Sequence, residues 1–274
     1  MMMRRILPDG LRHLLETENL REIRLRTNRH ITLNVGGNIT LTRYVATKED
    51  LLYCVKNACN SSIYAFIDEI KNGFVTIKGG HRIGVCGKVI IRDNKLENIV
   101  DFNGVNIRIA REVKGCANDL GEIIKQSTLV ISPPGCGKTT MLRDISRIIG
   151  ERNNVSVIDE RGEIAGCYNG IPQFDVGEMT DVLDLCPKKY GIELVLRAMS
   201  PNYIITDEIG KDDITSIKKG ILCGVKFIAS AHGSSIEEVI ERLDIEKDTF
   251  SNYILLEHNA QIKKIAKVGD INDI

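Results

Sequence analysis

The chain has 274 residues, and its 37 basic and 37 acidic side chains cancel to a formal net charge of zero. That length accommodates one large domain or two moderate ones, a 43% hydrophobic fraction can fill the cores, and neutrality removes any bulk field toward nucleic acid or anionic lipid. Eight cysteines without a C-x-x-C pair argue against a metal site and for a reducing cytoplasm. The segment before Pro8 lacks the apolar core of a secretory signal, and no stretch approaches the ~18 apolar residues of a membrane span.

The first hundred or so residues predict a mixed α+β domain. A helix is expected over 11–19, then strands Glu22–Arg26 and Ile31–Val35, with Gly36-Gly37-Asn38 turning into a third strand, Ile39–Thr42. Thr47, with Asp50 three residues on, reads as the N-cap of a helix through Ala58, and Ser62–Ile70 as a further helix. Two strands around a glycine turn follow, Gly73–Gly80 and His81–Ile91, then an Asp93-Asn94 turn and a short strand, Asn106–Ala110. Arg26-Thr-Asn-Arg-His30 fits a single-strand nucleic-acid signature superficially, but no aromatic platform accompanies it, and the hairpin-flank reading is preferred. Val113–Gln126 joins the halves, with Gly115 and Gly121 as candidate hinge points.

From Thr128 onward strands and helices alternate. Strands are expected at 128–131, 155–158, 203–206 and 226–230, helices at 141–149, 192–199, 215–222 and 236–243, and edge strands at 253–256 and 262–268. Short apolar strands separated by helices imply a mainly parallel sheet covered on both faces. The expected boundary is 1–114 for the smaller domain and 115–274 for the larger.

The first of these strands runs into Ser132-Pro133-Pro134-Gly135-Cys136-Gly137-Lys138-Thr139-Thr140, a phosphate-binding loop opening onto a helix N-terminus. Gly135 and Gly137 let the backbone curl around phosphate oxygens, Lys138 reaches the β- and γ-phosphates, and Thr139 supplies a hydroxyl to Mg²⁺. The first glycine of the usual pattern is replaced by Ser132. ATP and Mg²⁺ are the expected ligands. Three further strand ends carry candidate chemistry. Asp207 would orient the metal and Glu208 polarise the attacking water; Asp159 or Glu160 would reach metal or water with Arg161 balancing their charge; His232 would sense the γ-phosphate.

Taken in order, the phosphate loop, Ile158–Arg161, Arg197-Ala-Met-Ser-Pro201, Ile204–Glu208 and Ser230–Gly233 resemble the secretion ATPases of type II and type IV systems. Over nearly the whole length, through Glu22–Arg26, Gly79–Gly84, Asn106–Ala110, Thr180–Asp184 and Asp207–Gly210, the chain also resembles a sporulation family of endospore-forming bacteria. The resemblance implies a RecA-like P-loop NTPase core behind a smaller N-terminal domain, a hexameric ring, and arginines supplied across the ring, for which Arg82, Arg108 and Arg197 are the candidates. It further implies an ATPase motor in the mother-cell cytoplasm, docked on membrane proteins of the channel between mother cell and forespore. Two alternatives stand beside it: a nucleic-acid-stimulated NTPase such as a helicase loader, and a nucleotide-gated scaffold with little turnover.

Overall fold

Two periodic patterns, one antiparallel and one mainly parallel, build two separate sheets. The computed structural model describes residues 2–271, and the chain divides into two compact units, Met1–Arg111 and Glu112–Ile274.

The first unit contains helix α1 (Met2–Ile6), a 3-10 segment over Asp9–Glu16, strands β1 (Leu20–Arg26), β2 (Arg29–Val35) and β3 (Asn38–Ala46), helices α2 (Lys48–Ala58) and α3 (Ile67–Lys71), and strands β4 (Phe74–Ile77), β5 (His81–Arg92) and β6 (Lys95–Arg108). The sheet is antiparallel in the order β3-β2-β1-β6-β5-β4. Alternation puts Ile23, Leu25, Ile83, Val85, Val105 and Ile107 on one face, where they share a core with Leu51 and Val55 of α2 and Ile70 of α3. The capping box at Thr47 forms: its hydroxyl accepts from the Asp50 N–H at 3.2 Å, and the Asp50 carboxylate accepts from the Thr47 N–H at 2.9 Å. On the polar face, Arg82 and Arg108 lie directly opposite each other on β5 and β6.

Two expectations for this unit differ from the structure. The helix expected at 11–19 is a 3-10 segment ending at Glu16, because Asn19 takes a left-handed conformation (φ 57°) to start β1. The short strand expected at Asn106–Ala110 is the end of a 14-residue strand, β6. Its early part pairs only with β5 in a hairpin whose side chains are largely exposed, so no apolar alternation marks it. The turn of that hairpin is Asp93-Asn94, both at positive φ, which is the two-residue geometry that matches strand twist.

The second unit is a seven-stranded sheet with helices on both faces. Its elements are β7 (Thr128–Ser132), α4 (Lys138–Ile149), β8 (Val155–Asp159), β9 (Thr180–Asp184), α5 (Lys188–Ala198), β10 (Tyr203–Thr206), α6 (Ile214–Leu222), β11 (Lys226–His232), α7 (Ile236–Leu243), β12 (Asn252–Leu256) and β13 (Ile262–Lys267). The order is β13-β12-β7-β11-β10-β8-β9, and every pair except β12–β13 is parallel. Successive residues alternate between two cores. Leu129, Ile131, Phe227 and Tyr253 join Ile192 of α5, Ile217 of α6 and Val239 of α7. Val130, Ile205, Ile228 and Ile254 join Met141 and Ile145 of α4. Burial on both faces explains why these strands read as short apolar runs.

The segment before β7 belongs to this second core. Ala117, Leu120 and Ile124 are buried against α4, and the Ala117 N–H donates to Asp144 at 2.8 Å. Gly115 (φ 91°) and Gly121 (φ 38°) serve turns within that packed segment. Two further corrections concern the sheet. β12 is an interior strand between β7 and β13, fully buried, and not an edge. β9 was not expected as a strand; it forms the opposite edge, half exposed, where the apolar signal is weakest.

Gly191 sets how closely α5 approaches the sheet. A Cβ there would lie 2.7 Å from Ile158 Cγ2 and 3.3 Å from Cys186 Sγ. Gly191→Ala is therefore expected to lower unfolding stability by about 1–3 kcal/mol through overpacking, measured by urea denaturation.

Candidate functional site

Parallel pairing in register carries the C-terminal ends of β7, β11, β10 and β8 to one edge of the sheet, the position where open α/β sheets bind ligands. Ser132 lies opposite His232, and Thr206 lies opposite both Ala229 and Ile158, so Asp207 and Asp159 follow at the same level.

The loop after β7 is shaped by two left-handed glycines, Gly135 (φ 77°) and Gly137 (φ 99°). Gly137 also allows a close approach from the C-terminal part of the unit. A Cβ there would meet the Ala260 nitrogen at 2.8 Å, and the Ala260 N–H donates to the Cys136 carbonyl at 2.7 Å. Ser132 needs no such freedom: its φ is not positive, it is fully buried, and its hydroxyl donates to the Pro133 carbonyl at 2.8 Å. A serine thus stands where the usual pattern has glycine without forcing the backbone.

Lys138, 6% exposed, begins α4 and folds back into the loop. Its ammonium donates to the Ser132 carbonyl at 2.9 Å and the Pro133 carbonyl at 3.1 Å, and it lies 2.8 Å from His232 Nδ1. Burial lowers its pKa, opposed by the Glu208 charge. Because the ammonium can only donate, His232 Nδ1 accepts, which leaves the ring proton on Nε2. That nitrogen lies 2.8 Å from Glu208 Oε1, and the other Glu208 oxygen bonds Arg161. A continuous chain, Lys138–His232–Glu208–Arg161, links the ends of four strands.

Glu208 occupies the left-handed region (φ 41°), unusual for a long side chain and costly by about 1–3 kcal/mol. Ser230, fully buried on β11, holds it there: its hydroxyl accepts from the Glu208 N–H at 3.0 Å and its carbonyl accepts from the Ile209 N–H at 2.8 Å.

Asp207 is 1% exposed, and its Oδ1 is buried with no hydrogen-bond partner. Burial first, then the Asp159 charge, raises its pKa to about 7, opposed by Lys188. The bare Asp207 oxygen, after β10, and the Thr139 hydroxyl, on the first turn of α4, are hard oxygen donors of the kind that Mg²⁺ takes. Among the described residues no cluster of three or more His, Cys, Asp or Glu could hold a metal alone. Magnesium shared with phosphates does not require one.

The β8 end behaves differently from expectation. Asp159 is fully buried, with Oδ1 accepting from the Glu163 N–H and Oδ2 from the Ala165 N–H, both at 2.8 Å. Its carboxylate organises the loop after β8, which leaves neither oxygen bare for metal or water. Glu160 bonds Lys188, and Arg161 pairs with Glu208 on the adjacent strand. Arg197 is exposed near the far end of α5, nine residues and about 13 Å of helix beyond Lys188, so it does not join this cluster within one chain. Arg82 and Arg108 belong to the first unit. The sequence reading did not single out Lys188 or Ser230. A lysine directly after Pro187, at a helix N-terminus where cations are disfavoured, is a signal for the former; a buried serine in a strand otherwise carries none.

A profile of the family described as sporulation stage III, protein AA, matches residues 1–273. Stage III sporulation protein AA of Bacillus subtilis (strain 168) is 38% identical over 272 residues, covering 92% of this chain and 89% of that protein. Among solved structures, the ATPase DotB of Legionella pneumophila aligns with a TM-score of 0.62 at 17% identity, over 91% of this chain and 76% of DotB. The pilus retraction motor PilT, solved with bound ADP, aligns with a TM-score of 0.62 at 12% identity, over 90% of this chain and 76% of PilT. At these identities the two structures establish a shared mixed α/β fold. No helix among the described residues is long and apolar enough to cross a membrane.

The raised Asp207 pKa has a defined sign. An unfolded aspartate ionises near pH 4 and the folded one near 7, so as pH rises through that window the unfolded state is increasingly favoured, and above it the cost is constant. In protein stripped of divalent cations, Asp207→Asn is expected to be more stable than the parent by a few kcal/mol (about 1.4 per pKa unit) at pH 8. The gain is expected to vanish near pH 4, as followed by thermal melts across pH.

Proposed function

The chain belongs to the sporulation stage III, protein AA family, and on that premise we propose that it is an ATP-hydrolysing motor subunit with a RecA-like core, working in a ring on the sporulation channel complex. The observation that carries this reading is the chain Lys138–His232–Glu208, with Asp207 beside Glu208, which joins three strand ends at the glycine loop.

Each residue has a task in that reading. The N–H groups of the first turn of α4 lack intrahelical partners and receive phosphate oxygens. Lys138 exchanges the Ser132 and Pro133 carbonyls for the phosphates, a gain for an ammonium held at partial expense of burial. Its departure releases His232 Nδ1, so the ring reports phosphate occupancy to Glu208 through Nε2. Glu208, held in its strained conformation by Ser230, orients water and accepts its proton. Asp207 and Thr139 would hold Mg²⁺, which when bound neutralises charge on the phosphates.

Arg82, Arg108 and Arg197 are the candidates for a cation supplied by a neighbouring subunit, a contribution on the order of 10³–10⁵ in rate. Turnover per protomer is then expected to rise steeply with protein concentration, in step with assembly followed by mass photometry. A flat rate from a persistent monomer contradicts the ring. Lys138→Ala is expected to abolish nucleotide binding. Glu208→Gln is expected to retain binding while reducing hydrolysis roughly 10²–10⁴-fold, measured by phosphate release. If Glu208→Gln also supports sporulation, the chain acts as a nucleotide-gated scaffold and not a motor.

A further inference from the structure

Lys188 is a buried cation at this site that the mechanism above does not use. It is 4% exposed, and it sits at the first position of α5, directly after Pro187. Both facts count against it locally: burial penalises an ammonium, and the positive end of the helix dipole repels it. What favours it lies on two other strand ends. Its Nζ bonds Glu160 Oε2 and lies 3.9 Å from Asp207 Oδ1. The tight approach of α5 to Ile158 at Gly191 brings the helix start to these carboxylates.

The geometry toward Asp207 is specific. At 3.9 Å the ammonium compensates the charge of Oδ1 without donating a hydrogen bond to it, and Oδ1 has no other hydrogen-bond partner. A carboxylate oxygen neutralised at a distance, with its lone pairs bare, is poised to exchange one cation for another. Lysine suits such an exchange because it is a point charge on a flexible stem, where arginine would clamp a carboxylate in a planar fork. Two cations beside one buried oxygen repel, so an arriving divalent ion and Lys188 cannot both keep this position.

We propose that Lys188 is a resident counter-cation of Asp207 and Glu160 that divalent metal must displace, so that this side chain sets the magnesium concentration at which nucleotide is retained. The inference rests on the reading of the phosphate loop as a Mg·nucleotide site and deepens it. Lys188 is thus a positioning residue, acting through Asp207 and not on the phosphates.

The test titrates magnesium against a fixed concentration of fluorescent (mant) ADP bound to the full chain. Lys188→Met is expected to lower the magnesium midpoint about tenfold, with nucleotide affinity at saturating magnesium unchanged. Lys188→Arg is expected to keep the midpoint at or above that of the parent. An unchanged or raised midpoint in Lys188→Met overturns the proposal, as does weakened affinity at saturating magnesium, which would place the ammonium on the nucleotide. Should Lys188→Met fail to fold, amine acylation of the parent protein read by peptide mass spectrometry decides. Labelling of Lys188 is expected to increase with Mg·ADP but not with ADP alone, and no such difference overturns the displacement. If the parent binds no mant-ADP at any magnesium concentration, the Mg·nucleotide reading itself fails, a result distinct from the others.

Discussion

The site depends on one constraint: four parallel strands in register must bring their C-terminal ends to one edge of the sheet, with β7 and β11 running about two residues past the level of Asp207 and Asp159. Parallel pairing is satisfied only when both faces of the sheet are covered, and the alternating residues of β7, β10 and β11 achieve this by feeding two cores in turn. Once that packing is in place, the residue following each strand has nowhere to go but the common edge. Lys138, His232, Glu208 and Arg161 are linked there above the buried strand residues Ile131, Ala231, Ile205 and Ile158.

Charge at that edge is balanced in a sequence of short links. Lys138 is answered by loop carbonyls and His232, Glu208 by His232 and Arg161, and Glu160 by Lys188. Asp207 is answered only at a distance, by Lys188 at 3.9 Å, with one oxygen lacking a hydrogen bond and its proton affinity raised by burial. That weakly answered oxygen in a buried cluster of carboxylates is what the proposed magnesium site rests on. The strained backbone of Glu208 adds a second mark, since its left-handed conformation persists only because Ser230 holds the following backbone on both sides.

Much of this was legible in the sequence where residue type and position carry a steric or electrostatic demand. The turn after β7 could be read because Gly135 and Gly137 answer a positive φ, and the strands of the second unit because burial on both faces demands uninterrupted apolar runs. Where exposure relaxes that demand, the signal disappears, as in the outer part of β6 and in β9. The candidate residues were legible as strand ends, but their partners were not. Asp159 looks as acidic as Asp207 in sequence, and only the backbone donors of Glu163 and Ala165 separate a loop-building carboxylate from a bare one. Lys188 is marked in sequence only by its place after Pro187 at a helix start, and the carboxylates that it faces emerge only from the packing of α5 on the sheet.

The contact between Gly137 and Ala260 has a consequence for when the site can exist. The glycine loop after β7 is bonded to a turn that lies between β12 and β13, and β12, which leads into that turn, flanks β7 itself. A chain emerging from the ribosome therefore presents Lys138 long before it presents the residues that brace it. The backbone bond that braces Cys136 is therefore made only after the chain has been extended past β12 to Ala260.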